Sequence, residues 1–134
     1  MRQIILRSFN LLFIVSGLLF LSSCEKSTEP KILSINDAEN IIFRNMLNGS
    51  DSGKVVYEFP NILKAGNIIS CRQLDSTDFI ATSDSWFFFI DDNPNMYWVH
   101  PCRYIFVDIS TAKATVHNWT YLPTCINEMK IIDY

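Results

Sequence analysis

The stretch that decides the fold spans residues 86–109 and reads Trp86-Phe87-Phe88-Phe89-Ile90, Asp91-Asp92-Asn93-Pro94-Asn95, Met96-Tyr97-Trp98-Val99-His100-Pro101 and Cys102-Arg103-Tyr104-Ile105-Phe106-Val107-Asp108-Ile109. The first run is apolar at every position, which is typical of a strand buried on both faces. The last run alternates, so that Ile105 and Val107 share one face while Tyr104 and Phe106 share the other. Two apolar runs joined by a polar turn predict a hairpin at the centre of a small sheet.

The segments around this hairpin predict a single α+β domain over residues 34–134. Ser34 and Asp37 resemble a capping box, apolar residues then recur at helical spacing, and Asn48-Gly49 ends the helix. Further strands are predicted at 54–59, 67–73 and 114–121, and residues 126–134 are read as a short strand or an ordered tail. Residues 74–85, rich in Asp, Ser and Thr, are read as a surface connection. This order predicts one N-terminal helix packed on a four- to five-stranded antiparallel meander sheet.

The N-terminus has the pattern of an export signal. A basic start, Met1-Arg2-Gln3, precedes an apolar run over residues 4–21. Leu21-Ser22-Ser23-Cys24 then resembles the lipobox of bacterial lipoproteins, in the form found in Bacteroidota. The resemblance implies a signal peptide over 1–23, lipid on Cys24 and a tether over 24–33. An uncleaved membrane anchor is the alternative.

The same resemblance predicts where the protein resides. The positions after the cysteine are Glu25 and Lys26, neither of which is the aspartate associated with inner-membrane retention in proteobacterial lipoproteins. We therefore expect a lipid-anchored protein of the bacterial cell envelope, on the periplasmic or surface side of the outer membrane.

The charge balance argues against nucleic acid as a partner. Cleavage after residue 23 removes two of the 11 Lys and Arg residues and none of the 14 Asp and Glu residues, which leaves a net charge of about −5. Phosphate binding requires clustered Lys and Arg, and the sequence has no such cluster. The predicted partners are the membrane, through lipid on Cys24, and another protein.

Three further cysteines, Cys71, Cys102 and Cys125, allow one disulfide in an exported protein. Cys102–Cys125 is favoured because each lies near a proline where a strand meets a loop, and because the enclosed loop is short. The pairs Cys71–Cys102 and Cys71–Cys125 remain open.

No arrangement of reactive residues predicts an enzyme. His100 lies two residues before Cys102, so a small thiol enzyme using Cys102 or Cys71 with His100 is the alternative; Pro101, however, interrupts the strand between them. The possible zinc ligands His100, Cys102, His117 and Cys125 lack a recognisable spacing. The loop Asp91, Asp92, Asn93 and Asn95 lacks the glycine and the bidentate acid of a calcium-binding EF-hand. We predict no metal and no cofactor.

The loop between the two runs is the candidate binding surface. Large side chains at Met96, Tyr97 and Trp98 would form a contact surface if they are exposed. If they fold back, they would instead cover the second face of residues 86–90, which otherwise needs another loop or a partner. The candidate residues are Asp91, Asp92, Met96, Tyr97, Trp98 and His100.

Two short patterns resemble known small domains. Tyr104-Ile105-Phe106-Val107-Asp108 followed by Thr111-Ala112-Lys113-Ala114 resembles the last hairpin of PepSY-like domains, although Ala112 stands where that pattern usually has glycine. Trp86-Phe87-Phe88-Phe89 before such a hairpin is similar to bacterial immunity domains of the immunity-35 type. The resemblance covers roughly residues 34–121 and implies a binding or inhibitory module. We therefore expect a non-enzymatic inhibitor or immunity protein; a structural accessory of an envelope complex is a further alternative.

Overall fold

The computed structural model describes residues 31–50, 52–71 and 77–133, and in this part the protein is an α+β domain. The predicted signal peptide, Cys24 and most of the tether lie outside the described residues. None of the helices in the described ranges combines the length and the apolar character needed to cross a bilayer. The elements are α1 (Ile35–Met46), β1 (Val55–Glu58), β2 (Ile68–Ser70), β3 (Asp78–Ile80), β4 (Ser85–Asp91), β5 (Cys102–Asp108), β6 (Ala114–Trp119), the 3₁₀ turn η1 (Ile126–Glu128) and β7 (Lys130–Ile132).

The ends of α1 are those that the sequence predicts. The Ser34 hydroxyl accepts a hydrogen bond from the Asp37 backbone N–H at 3.2 Å and donates one to the Asp37 carboxylate at 2.8 Å. At the other end Asn48 and Gly49 take positive φ angles of 52° and 76°, and Gly49 N–H donates to the Phe43 carbonyl at 3.0 Å. These left-handed residues turn the chain out of the helix and towards β1.

Five strands form one antiparallel sheet in the order β6-β5-β4-β1-β7. Strands β4, β5 and β6 follow one another as a meander, with Phe88 opposite Ile105 and Ile105 opposite Val116. The meander does not extend further, because the chain leaves the sheet after β1 and β7 returns to pair with the other side of β1. The class and the five-stranded antiparallel sheet are thus confirmed, whereas a continuous meander is not.

The central strands are buried on both faces, as their sequences predict. On one face Phe88, Ile90, Ile105 and Val107 pack with Ala38 and Ile42 of α1. On the other face Phe87, Phe89, Tyr104 and Phe106 pack with Leu63, Ile69, Phe79 and Ala81.

The cover of the second face is a small two-stranded sheet formed by β2 and β3. The sequence predicts a surface connection over residues 74–85, and this is wrong at residues 78–80, which form β3. Phe79 is buried between exposed neighbours on either side, Asp78 and Ile80. Phe79 packs this strand onto the core together with the buried Ile69 and Ala81.

Candidate functional site

The connection between β4 and β5 presents its large apolar side chains to solvent. The exposed fractions are 39% for Met96, 102% for Tyr97, 68% for Trp98 and 52% for Val99. Because the β2–β3 hairpin covers the second face of β4, these side chains are not needed there. Of the two alternatives for the loop, its geometry supports the exposed contact surface.

This loop is one wall of an apolar groove of about 240 Å³. The other wall is residues 120–122, which follow β6, and Cys102 lies at the floor. Tyr121 and Leu122 were not among the residues predicted for the site. Their signal in the sequence is weak: two apolar residues between a strand and Pro123, with no pattern linking them to a loop more than 20 residues earlier.

The base of the loop is closed by a hydrogen-bonding contact between the side chains of Asp91 and His100. His100 Nε2 lies 2.8 Å from Asp91 Oδ1, and the two side chains are 13% and 9% exposed. His100 Nδ1 lies 2.7 Å from the Trp98 carbonyl oxygen. Asp91 Oδ1 also accepts a hydrogen bond from the Asn93 N–H at 2.9 Å. Asp91 and His100 therefore support the candidate surface from beneath and do not form its outer face.

A second anchor joins the loop to the helix. The Arg103 guanidinium donates to both carboxylate oxygens of Asp92, from Nη2 at 2.6 Å and from Nε at 2.9 Å. Its Nη1 donates to the Met46 carbonyl, in the last turn of α1, at 2.9 Å. Lys54 Nζ lies 3.4 Å from the same Asp92 carboxylate. A bidentate pair of this kind fixes direction as well as distance, so the start of the loop is held firmly.

The three described cysteines, Cys71, Cys102 and Cys125, are free thiols in the structure. The favoured Cys102–Cys125 disulfide stays a prediction. Cys102 is buried, and burial, followed by the negative charges of Asp91 and Asp92, raises the pKa of its thiol to about 12. A thiol with this pKa is protonated at neutral pH, whereas the nucleophile of a thiol enzyme is the thiolate.

The contacts of His100 also argue against Cys102 as the nucleophile of a thiol enzyme. Both of its ring nitrogens face oxygen acceptors, at Asp91 and Trp98. The Cys102 thiol instead donates to the Tyr121 carbonyl at 3.4 Å. A general base must reach the proton that it removes, and His100 is directed elsewhere.

The side chains considered as metal ligands have other neighbours. His117 stacks against Phe79 and Phe106, with ring centroids 5.1 and 5.9 Å apart. Asp91 faces the His100 imidazole, and Asp92 faces the Arg103 guanidinium. Over residues 31–50, 52–71 and 77–133, no three His, Cys, Asp or Glu side chains converge in a way that could hold a metal ion.

Comparison of the chain with models of protein families, with curated proteins and with solved structures finds no match. The likeness to PepSY-like and immunity-35-type domains therefore stays an expectation from the sequence, and the groove itself is the basis for a functional argument.

Proposed function

We propose that this protein is a lipid-anchored, non-enzymatic binding domain of the bacterial cell envelope, and that it holds another exported protein in the groove between residues 96–99 and 120–122. The observation that carries the proposal is the exposure of Tyr97 and Trp98 above a fixed base. Aromatic side chains of this kind supply most of the binding energy in many protein interfaces.

The geometry of the loop favours a protein partner. The Asp91–His100 and Asp92–Arg103 pairs hold both ends of the loop, so less conformational freedom is lost when a partner binds. The groove is lined mainly by apolar groups, which suits an apolar side chain projecting from the partner. The resemblance to small immunity domains favours a partner whose activity is inhibited, such as an exported toxin or protease.

The experiment is capture of partners from solubilised envelopes with the full chain as bait. Trp98→Ala is compared with Ile80→Ala, a matched control in which an apolar side chain that is 55% exposed is removed from the small sheet. A protein recovered with the wild type and with Ile80→Ala, but lost with Trp98→Ala, is then purified and titrated against both variants. We expect Trp98→Ala to weaken this binding at least tenfold. Equal binding by the three baits would exclude the groove as the contact.

The lipid anchor is tested separately. Replacement of Cys24 by Ala removes the acceptor implied by Leu21-Ser22-Ser23-Cys24. We expect the wild-type protein to begin at Cys24 and to carry the added mass of acyl chains, which Cys24→Ala lacks, while Cys125→Ala behaves like the wild type. A wild-type protein that keeps residues 1–23 and carries no acyl mass would indicate an uncleaved anchor instead.

A further inference from the structure

Three thiols from distant parts of the chain converge on one apolar cluster. Cys71 follows β2, Cys102 begins β5 and Cys125 precedes η1, and all three belong to the packing around Tyr104. Cys71 is 4% exposed and Cys102 is 2% exposed. Cys125 is only partly buried.

Two of these thiols flank the same short segment. Cys71 forms an antiparallel bridge with Pro123, and the neighbouring pair is fixed by the Thr124 N–H, which donates to the Ser70 carbonyl at 2.9 Å. Cys102 Sγ contacts the carbonyl of Tyr121, only two residues before Pro123, at 3.4 Å. The segment 121–123 thus brings the end of the small sheet next to the start of β5.

The side-chain directions agree with this approach. Cys102 and Tyr104 lie on the face of β5 that the β2–β3 sheet covers, and the Tyr104 hydroxyl donates to the same Tyr121 carbonyl at 2.9 Å. The Cys71 thiol contributes to the raised pKa of Cys102, after burial and the charges of Asp91 and Asp92, and both Cys71 and Cys125 contribute to the raised pKa of Tyr104. These contributions agree with the approach of Cys71 to Cys102 that the contacts describe.

We propose that Cys71 and Cys102, a pair that the sequence left open, form a disulfide that joins the small sheet to the central strand β5, in place of the Cys102–Cys125 pair that the sequence favoured, and that Cys125 remains a thiol. Both S–H bonds break and one S–S bond forms. The two protons and two electrons pass to the disulfide of a thiol oxidase in the envelope, which is reduced to a dithiol. In the cell this step rests on the export assumed in the proposed function.

The burial of both thiols determines when the bond forms. In the folded domain neither sulfur is accessible to an oxidising protein, and the high pKa of Cys102 leaves almost no thiolate. Oxidation therefore takes place during folding, before the β2–β3 sheet closes over β5. This order distinguishes the bond from a redox switch of the mature protein.

The pairing is tested by oxidative refolding of the full chain in detergent. A Cys24→Ala background leaves three thiols, and the reduced, unfolded chain is refolded with oxidised and reduced glutathione. Trypsin places the three cysteines in separate peptides, 65–72, 73–103 and 114–130, because Lys64, Arg72, Arg103, Lys113 and Lys130 are cleavage sites.

We expect a linked 65–72/73–103 peptide from this chain and from its Cys125→Ala variant. One alkylatable thiol should remain in the first, and none in the second. A 73–103/114–130 link in the chain that retains all three thiols, or three alkylatable thiols after refolding, would overturn the proposal. The assay supplies its own oxidant, so such a failure bears on the pairing and not on export or on the partner of the groove.

Discussion

The imidazole of His100 and the carboxylate of Asp91 lie 2.8 Å apart beneath the loop that carries Trp98. The other ring nitrogen of His100 is 2.7 Å from the Trp98 carbonyl oxygen. Both neighbours are hydrogen-bond acceptors, so the ring ties the end of the loop to Asp91 and to the backbone of Trp98.

Replacement of His100 by Ala removes the imidazole that contacts the largely buried Asp91 carboxylate. We expect the free energy of unfolding to fall by about 3 kcal/mol, because a buried carboxylate that loses its hydrogen-bonding partner is costly. Urea unfolding of His100→Ala, Asp91→Asn and the double variant measures this. The double variant should be more stable than the sum of the two single losses predicts, by about 1 kcal/mol or more. Simple additivity would show that the pair contributes nothing as a pair.

Glu58 gives the stability a dependence on pH. Its side chain is buried on β1, and burial, followed by the hydrogen bond and the charge of Glu39, raises its pKa from 4.5 to about 7, although Lys130 opposes the shift. Between these two pH values the folded protein binds more protons than the unfolded chain. This contribution to stability therefore falls as the pH rises from 4.5 to 7.

Glu58→Gln removes this dependence. We expect the free energy of unfolding of the variant, relative to that of the wild type, to be higher at pH 8 than at pH 4 by on the order of 2 kcal/mol. Urea unfolding at both pH values measures this. Glu39→Gln is the matched variant. Its amide can donate a hydrogen bond to Glu58, so it should reduce the difference between the folded and unfolded pKa of Glu58. If the free energy of unfolding changed with pH in the same way for the wild type and for Glu58→Gln, the raised pKa of Glu58 would be contradicted.

Phe79 fixes the small sheet over the core. Its ring centroid lies 4.5 Å from that of Tyr104 and 5.7 Å from that of Trp119. We expect Phe79→Ala to lower the free energy of unfolding by about 3–4 kcal/mol, from lost burial and the cavity left behind. Ile80→Ala, at the exposed neighbour, should change it by no more than about 0.5 kcal/mol. Similar losses for the two variants would show that β3 is not the cover of this face.

Ala112 occupies a conformation that favours glycine. Its φ is +58°, and its N–H donates to the Asp108 carbonyl at 2.9 Å in the turn between β5 and β6. The Asp108 carboxylate holds the same turn by accepting from the Ser110 and Thr111 N–H groups at 2.7 and 2.8 Å. The glycine of the PepSY-like pattern would relieve the strain of a β-carbon here.

Ala112→Gly is therefore expected to stabilise the protein by about 1 kcal/mol, after the greater freedom of glycine in the unfolded chain is taken into account. Ala114→Gly, in β6, should instead destabilise it by about 0.5–1 kcal/mol. Thermal unfolding of both variants measures these opposite changes in stability. A loss of stability in Ala112→Gly would mean that the turn relaxes to accommodate alanine.

The longer elements, in which a hydrophobic pattern or a terminal signal is visible, were predictable from the sequence. The cap at Ser34, the Asn48-Gly49 end and the alternation around Tyr104 and Ile105 are local patterns, and the structure places α1, β4 and β5 accordingly. The exposed loop aromatics could be named in advance, but their exposure depended on what else covered residues 86–90.

The remaining features depend on contacts between distant residues. β3 is too short for an alternation to be visible, since Phe79 is its only inward side chain. The pairing of β7 with β1 and the second wall of the groove bring together residues that no spacing rule relates. The role of Arg103 was missed because its partners, Asp92 and Met46, lie on different elements.

The two walls of the groove differ in how they are attached. The Tyr121 carbonyl accepts hydrogen bonds from both Cys102 and Tyr104, and Pro123 is paired with Cys71, so the backbone of residues 121–123 is fixed to the core. Residues 96–99 are held at their ends and project their side chains into solvent. The two walls therefore differ in what a displacement would break: moving the backbone of residues 121–123 breaks contacts of the core, whereas moving the side chains of residues 96–99 breaks none of those contacts.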